Sequence, residues 1–143
     1  TEWTFAKETL VLDAIIKARP LVEVEVQAIQ VGPMVFVSNP AEYFVQYQLD
    51  IKAGSKFPFT FVVELANGIT GYVPTEEALG PNGGGYETRL TSYSNLEVSA
   101  GRQFANTGIE LANQMVPGKV PLPPPPPPFK APWAYGNLPP ELK

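Results

Sequence analysis

The chain of 143 residues contains no cysteine and no histidine. Without cysteine it forms neither disulfides nor thiolate metal sites, although this leaves its cellular compartment open. Without histidine it lacks the side chain that most often acts as a general base near neutral pH. Carboxylates, tyrosines, hydroxyls and backbone carbonyls are therefore the metal ligands that this chain can offer.

The chain also has little positive charge and no long apolar run. Its 10 lysines and arginines are scattered and the net charge is −4, which argues against nucleic acid or an anionic membrane surface as a partner. The apolar runs are shorter than the roughly 20 residues of a transmembrane helix, so no transmembrane segment is predicted. Charged side chains throughout residues 1–20 exclude a signal peptide there.

The amino-terminal residues enter a helical pattern almost at once, without an initiating methionine. A helix is predicted from a cap at Thr4 to about Arg19, where Pro20 ends it. This beginning indicates an internal segment of a longer polypeptide, either a processed subunit or a fragment left by proteolysis.

Three strands are predicted after this helix. Residues 21–32 alternate apolar and polar side chains, which favours a half-exposed strand beginning near Val22. Gly32-Pro33 then reverses the chain into the apolar strand "MVFVSNP". A third apolar strand, "FPFTFVVELA", follows later in the chain.

Between the second and third strands, "AEYFVQYQLDIKAGS" has loosely helical spacing and ends at Gly54. Strand, helix and strand in this order predict a parallel crossover, whose ligand crevice lies beyond the carboxyl ends of the strands. Residues 39–42 and 67–72 are therefore expected at one edge of the sheet. A last helix is predicted from about Leu96 to Met115, and the fold class is α/β with mixed α+β character.

The composition changes abruptly after residue 116. Residues 117–143 hold 11 of the 17 prolines, and "PLPPPPPPF" predicts a stiff polyproline II rod without a core of its own. Two interpretations remain open, a spacer or strap over the domain and a ligand for an aromatic groove in a partner. Trp133 and Tyr135, beyond the rod, are candidates to anchor it to the domain.

The candidate functional residues are Glu42, Tyr72 and Tyr86. Taken singly, Glu42 fits a first-turn carboxylate favoured by a helix dipole, and the two tyrosines fit packing residues with hydrogen-bonded hydroxyls. "GPNGGGYE" has the glycines of a phosphate loop but lacks the Lys-Ser/Thr pair. The combination of these residues is more specific than any one of them.

Three stretches together make the sequence resemble the neutral/alkaline, non-lysosomal ceramidases and their bacterial ceramidase-like relatives. They are "VFVSNPAEYF", where the family has an apolar strand running into Pro-Gly-Glu, "FVVELANGITGYVPT", where it has a strand, Asn and then Tyr, and "GGGYETR", where it has Tyr-Glu. The resemblance runs from about residue 5 to 115 and implies that residues 1–116 are the carboxyl-terminal segment of a catalytic domain. The proline-rich tail is outside it.

The resemblance implies a site as well as a fold. In that family the Glu and the first Tyr are zinc ligands beside two histidines from earlier in the chain, and the second Tyr contacts the substrate amide. Carried over, Glu42 and Tyr72 are the expected zinc ligands and Tyr86 is the expected catalytic contact. Because this chain has no histidine, a His-bearing amino-terminal segment or companion chain is the expected partner.

Two functions are compatible with these observations. The first is part of a zinc-dependent amidase that cleaves an N-acyl lipid such as a sphingolipid, active only together with the His-bearing segment. The second is a non-catalytic binding or assembly subunit that keeps the fold and contacts a partner through its proline-rich tail. The resemblance also implies a secreted or periplasmic location.

Overall fold

A computed structural model describes residues 1–126 and 128, and it has a mixed α+β architecture. Its helices and strands, in chain order, are α1 (Glu2–Ala18), β1 (Gln27–Val31), β2 (Met34–Ser38), β3 (Glu42–Tyr43), α2 (Val45–Gly54), β4 (Phe59–Val63), β5 (Tyr72–Val73) and α3 (Ala100–Gln114). A single 3-10 turn, Tyr86–Thr88, precedes α3. The predicted fold class is confirmed.

The main sheet has three strands in the order β1-β2-β4. The Gly32-Pro33 turn makes β1 antiparallel to β2, whereas α2 carries the chain across so that β4 runs parallel to β2. The predicted parallel crossover is therefore confirmed. A second ladder joins the two-residue strands β3 and β5, also in parallel.

The core lies between one face of the main sheet and helices α2 and α3. Val35 and Val37 of the central strand are buried there, together with Tyr47 of α2. The glycines of α3 allow this close packing. A methyl group at Gly108 would lie 2.5 Å from Val37 Cγ1, and one at Gly101 would lie 2.3 Å from the Tyr47 ring, so larger residues would force the layers apart.

The predicted element boundaries were wrong in four places, and in one of them Glu42 and Tyr43, expected at the start of a helix, form β3 while α2 begins only at Val45. Helix α1 begins at Glu2, so Thr4 lies within it, and α3 begins at Ala100 instead of Leu96. The strand expected from Val22 begins only at Gln27. Gln27 pairs with Ser38, the last residue of β2. In the part of the chain that the structure describes, residues 22–26 have no strand to pair with.

None of the helices in the described residues has the length and apolarity that crossing a membrane requires.

The beginning of the tail is attached to the sheet. The Gly118 N–H donates to the Gly32 carbonyl at 3.0 Å, and the Gln30 side-chain amide donates to the Val116 carbonyl at 2.7 Å. Residues 119–126 are exposed and have no regular hydrogen-bonded structure, as polyproline II segments do not. Trp133 and Tyr135 lie outside the described residues, so their predicted anchoring stays a prediction.

Truncation after Val116 is expected to leave the domain folded. Among the described residues it removes one backbone hydrogen bond, that of Gly118, which contributes about 1 kcal/mol, and residues 119–126 are exposed. Thermal unfolding followed by circular dichroism would show a cooperative transition within a few degrees of that of the full chain. Loss of the transition would mean that the tail is an integral part of the domain.

Candidate active site

Glu42 and Tyr72 are neighbours on the small parallel ladder. Their Cα atoms are paired in register, and the ladder is closed by the Glu42 N–H donating to the Gly71 carbonyl at 2.9 Å. Strand β3 follows the end of β2, and strand β5 follows the loop after β4. Because β2 and β4 are parallel, Glu42 and Tyr72 lie at the same edge of the main sheet. Glu42 is not in the first turn of a helix, because α2 begins only at Val45.

Tyr86 joins this pair through Tyr72. The two hydroxyls are 3.4 Å apart and the rings meet edge to face, with centroids 5.4 Å apart and planes at 87°. This is a favourable aromatic geometry. The Tyr86 side chain is 65% exposed, which leaves its hydroxyl accessible from solvent. All three predicted site residues therefore lie in one cluster.

The electrostatics of the cluster keep the Tyr72 phenol protonated. Its pKa is raised, first by the hydrogen bond to Tyr86 and then by the nearby Glu42 carboxylate. A negative carboxylate disfavours a second negative charge on the neighbouring phenolate. A cation between the two oxygens would have the opposite effect, since it favours the charged form of both groups.

A turn that the sequence analysis did not single out holds Tyr72 in place. The hydroxyl of Ser94, a buried residue, accepts the Tyr72 N–H at 3.0 Å, and the Ser94 N–H donates to Thr91 Oγ1 at 2.9 Å. Gly71 permits this approach. It has φ +71°, and a methyl group there would lie 2.1 Å from the Tyr93 carbonyl oxygen. Only the hydroxyl-rich stretch "TSYSN" hinted at such a turn.

The loop between β4 and β5 is strained and is fastened to the residues before Glu42. Leu65 has φ +48°, a left-handed conformation that costs such a residue about 1–2 kcal/mol, and Asn67 has φ +61°, which asparagine tolerates better. The Ala66 N–H donates to the Asn39 carbonyl at 3.0 Å, and the Thr70 N–H donates to the Pro40 carbonyl at 2.7 Å. These bonds join the two predicted site loops into one unit.

The glycine-rich loop before Tyr86 does not have the architecture of a phosphate loop. It folds back on itself, with the Gly84 N–H donating to the Ala78 carbonyl at 3.0 Å. It leads into the three-residue 3-10 turn that begins at Tyr86, which is too short to present a helix amino terminus to an anion. The loop serves to place Tyr86 beside Tyr72.

Two residues of the cluster, Glu42 and Tyr72, are the zinc ligands that the sequence resemblance leads us to expect. Within the described residues there is no group of three or more His, Cys, Asp and Glu side chains that could hold a metal ion. The register of the ladder pairs Glu42, which has a carboxylate, with Tyr72, which has a phenol, and the chain has no histidine to add to them. This donor set fits half of a tetrahedral zinc site.

Comparison of the chain with protein-family models, with curated proteins and with solved structures finds no match.

The hydrogen bond between the tyrosines has a measurable consequence. In a Tyr86→Phe variant we expect the pKa of Tyr72 to fall, because the largest cause of its upward shift is removed, while Glu42 keeps it above the ordinary value. NMR of tyrosines labelled at Cζ would follow Tyr72 directly. Tyr93→Phe, which removes another exposed phenol, is the control and should leave the Tyr72 titration unchanged. Equal titration curves for Tyr72 in the Tyr86→Phe variant and the wild type would contradict the assigned contact.

Proposed function

We propose that this chain supplies Glu42, Tyr72 and Tyr86 to the active site of a zinc-dependent amide hydrolase that acts on an N-acyl lipid or another amide. The observation that supports this proposal is the pairing of Glu42 with Tyr72, two residues far apart in sequence, beside the Tyr86 hydroxyl. The likeness of the three sequence stretches to ceramidases motivates the choice of reaction.

In this proposal Glu42 and Tyr72 hold the metal together with histidines of another segment. Zinc in such a site supplies Lewis-acid polarisation of the amide carbonyl and lowers the pKa of an attacking water. The Glu42 carboxylate contributes the negative charge that a divalent cation needs. The Ser94 hydroxyl and the tight Gly71 backbone hold Tyr72, which limits the reorganisation needed when ligands bind.

Tyr86 is proposed to contact the substrate. Its hydroxyl is exposed and lies beside the Tyr72 hydroxyl, so it is free to donate a hydrogen bond to the amide oxygen of a substrate bound at the site. Such a donor stabilises the negative charge that develops on this oxygen during attack on the carbonyl carbon. The edge-to-face contact with Tyr72 fixes the Tyr86 ring.

A non-catalytic role is the second candidate. The observation that favours it is the exposure of residues 119–126, which directly follow the attached Gly118. Proline-rich segments of this kind dock into aromatic grooves of partner domains. In that case the ceramidase-like fold would serve assembly and the Glu42–Tyr72 pair would have no chemical function.

Hydrolysis of a fluorescent N-acyl sphingosine by the chain together with its His-bearing partner tests the proposal. We expect release of the fatty acid, loss of the activity with a chelator and recovery when zinc is added back. Intact mass measurement of the purified complex identifies the partner polypeptide. A zinc-loaded complex that leaves this amide and simpler N-acyl amides uncleaved would favour the assembly role.

A further inference from the structure

One short segment, residues 85–95, contacts Tyr72 near both of its ends. Near its beginning the Tyr86 hydroxyl lies 3.4 Å from the Tyr72 hydroxyl, and near its end the Ser94 hydroxyl accepts the Tyr72 N–H at 3.0 Å. The side chain and the backbone of Tyr72 are therefore both held by the 85–95 segment.

Helix α1 accepts the other hydrogen bonds that leave this segment, in the part of the chain that the structure describes. The Arg89 guanidinium donates to both carboxylate oxygens of Glu2, at 3.2 and 3.1 Å, and lies 3.6 Å from the centroid of the Phe5 ring. The Ser92 N–H donates to Glu8 Oε2 at 2.9 Å. Bidentate and charge-assisted hydrogen bonds fix geometry more firmly than neutral ones, and a cation over an aromatic ring adds to them.

Helix α1 turns one side toward the segment. Phe5, Glu8 and Leu12 are the residues of α1 that are not exposed, and their spacing of three and four places them on one side of the helix. Because Phe5 and Glu8 contact Arg89 and Ser92, this side faces the segment. Among the described residues, the hydrophobic core cluster includes none from α1.

We propose that α1 is a positioning element of the candidate site and that it acts through Glu8 and Arg89. These residues hold the middle of the 85–95 segment and thereby fix the contacts that its two ends make with Tyr72. Detachment of α1 would loosen both contacts. A role of α1 in catalysis rests on the proposed function, whereas its effect on Tyr72 rests on the contacts alone.

Removal of the Glu8 carboxylate tests this coupling in the full chain. In Glu8→Ala the Tyr72 amide should exchange its hydrogen about fivefold faster or more, because its Ser94 acceptor is held less firmly. Alanine is the best helix former, so the substitution does not weaken α1 itself. Glu8→Gln keeps an oxygen that can accept the Ser92 N–H, and its Tyr72 amide should exchange at close to the wild-type rate.

Two controls separate positioning from a general loss of stability. Asp13→Ala removes a carboxylate from the same helix, but the ion pair of Asp13 with Lys17 lies within α1, so exchange at Tyr72 should not change. The amide of Val37, a buried residue of the central strand β2, reports opening of the core. It should exchange at the wild-type rate in every variant.

Replacement of Arg89 by glutamine tests the other contact of α1. The pKa of Tyr72 should fall, because the Tyr86 hydroxyl that raises it is held less firmly. NMR of tyrosines labelled at Cζ measures this titration, and the direction of the change should match that in Tyr86→Phe.

Several outcomes would overturn the positioning role. They are unchanged Tyr72 exchange in Glu8→Ala, the same acceleration in Glu8→Gln or Asp13→Ala, equal acceleration at Val37, and an unchanged Tyr72 titration in Arg89→Gln. These measurements need neither zinc nor substrate, so a negative result leaves the proposed function to the hydrolysis assay. A complex that hydrolyses no amide, although the variants shift Tyr72 as expected, would refute the proposed function and leave the coupling of α1 to Tyr72 intact.

Discussion

Replacement of Glu42 by glutamine is expected to reduce both zinc retention and amide hydrolysis of the completed complex by at least about 100-fold. Loss of a group that merely orients a metal ligand already has an effect of about 10- to 100-fold, and glutamine removes the carboxylate charge itself. The measurements are metal content after dialysis and the rate of fatty-acid release.

The control for this variant is Glu110→Gln, which removes an exposed carboxylate from α3. It should retain wild-type zinc content and rate. Wild-type zinc content and activity in Glu42→Gln would remove Glu42 from the site. Loss of activity with full zinc retention would instead place Glu42 in substrate chemistry and not in metal binding.

Replacement of Gly71 by alanine is expected to destabilise the domain by more than about 2 kcal/mol. The left-handed conformation at φ +71° costs alanine about 1–2 kcal/mol. The added methyl group would in addition lie 2.1 Å from the Tyr93 carbonyl oxygen, so the Tyr93–Ser94 backbone must move away from Tyr72. Urea denaturation measures the change in free energy of unfolding.

Gly32→Ala separates these two costs. Gly32 also has a positive φ, +58°, but a methyl group there meets nothing within 4 Å. It should therefore show the conformational cost alone. Equal destabilisation by the two variants would mean that the close approach of Tyr93 to Gly71 adds nothing.

The parts of the fold that depend on local pattern could be predicted from the sequence. β2 and β4 are short apolar runs bounded by turn residues, and the helical segment between them implies a parallel crossover. The extent of β1 depends instead on its partner. Residues 22–26 have an alternating pattern, yet pairing begins only at Gln27, opposite the last residue of β2.

The location of the candidate site followed from the crossover, whereas its chemistry did not. Ligand sites of parallel sheets lie beyond the carboxyl ends of the strands, which predicts that the loops of Glu42 and Tyr72 lie together. The expectation that Glu42 and Tyr72 bind zinc and that Tyr86 contacts a substrate came from the resemblance to ceramidases. The roles of Ser94 and Gly71 could not be predicted, because both depend on the turn around Ser94, which is 22 positions after Tyr72.

Zinc calorimetry with and without the proposed His-bearing partner tests the proposed zinc site most directly. Two oxygen ligands without imidazole leave half of a tetrahedral shell to water, so the isolated chain should bind zinc only weakly. The complex should bind one zinc ion with submicromolar affinity. Submicromolar binding by the isolated chain, or the same weak binding by the complex, would contradict a zinc site that is divided between two segments and includes Glu42 and Tyr72.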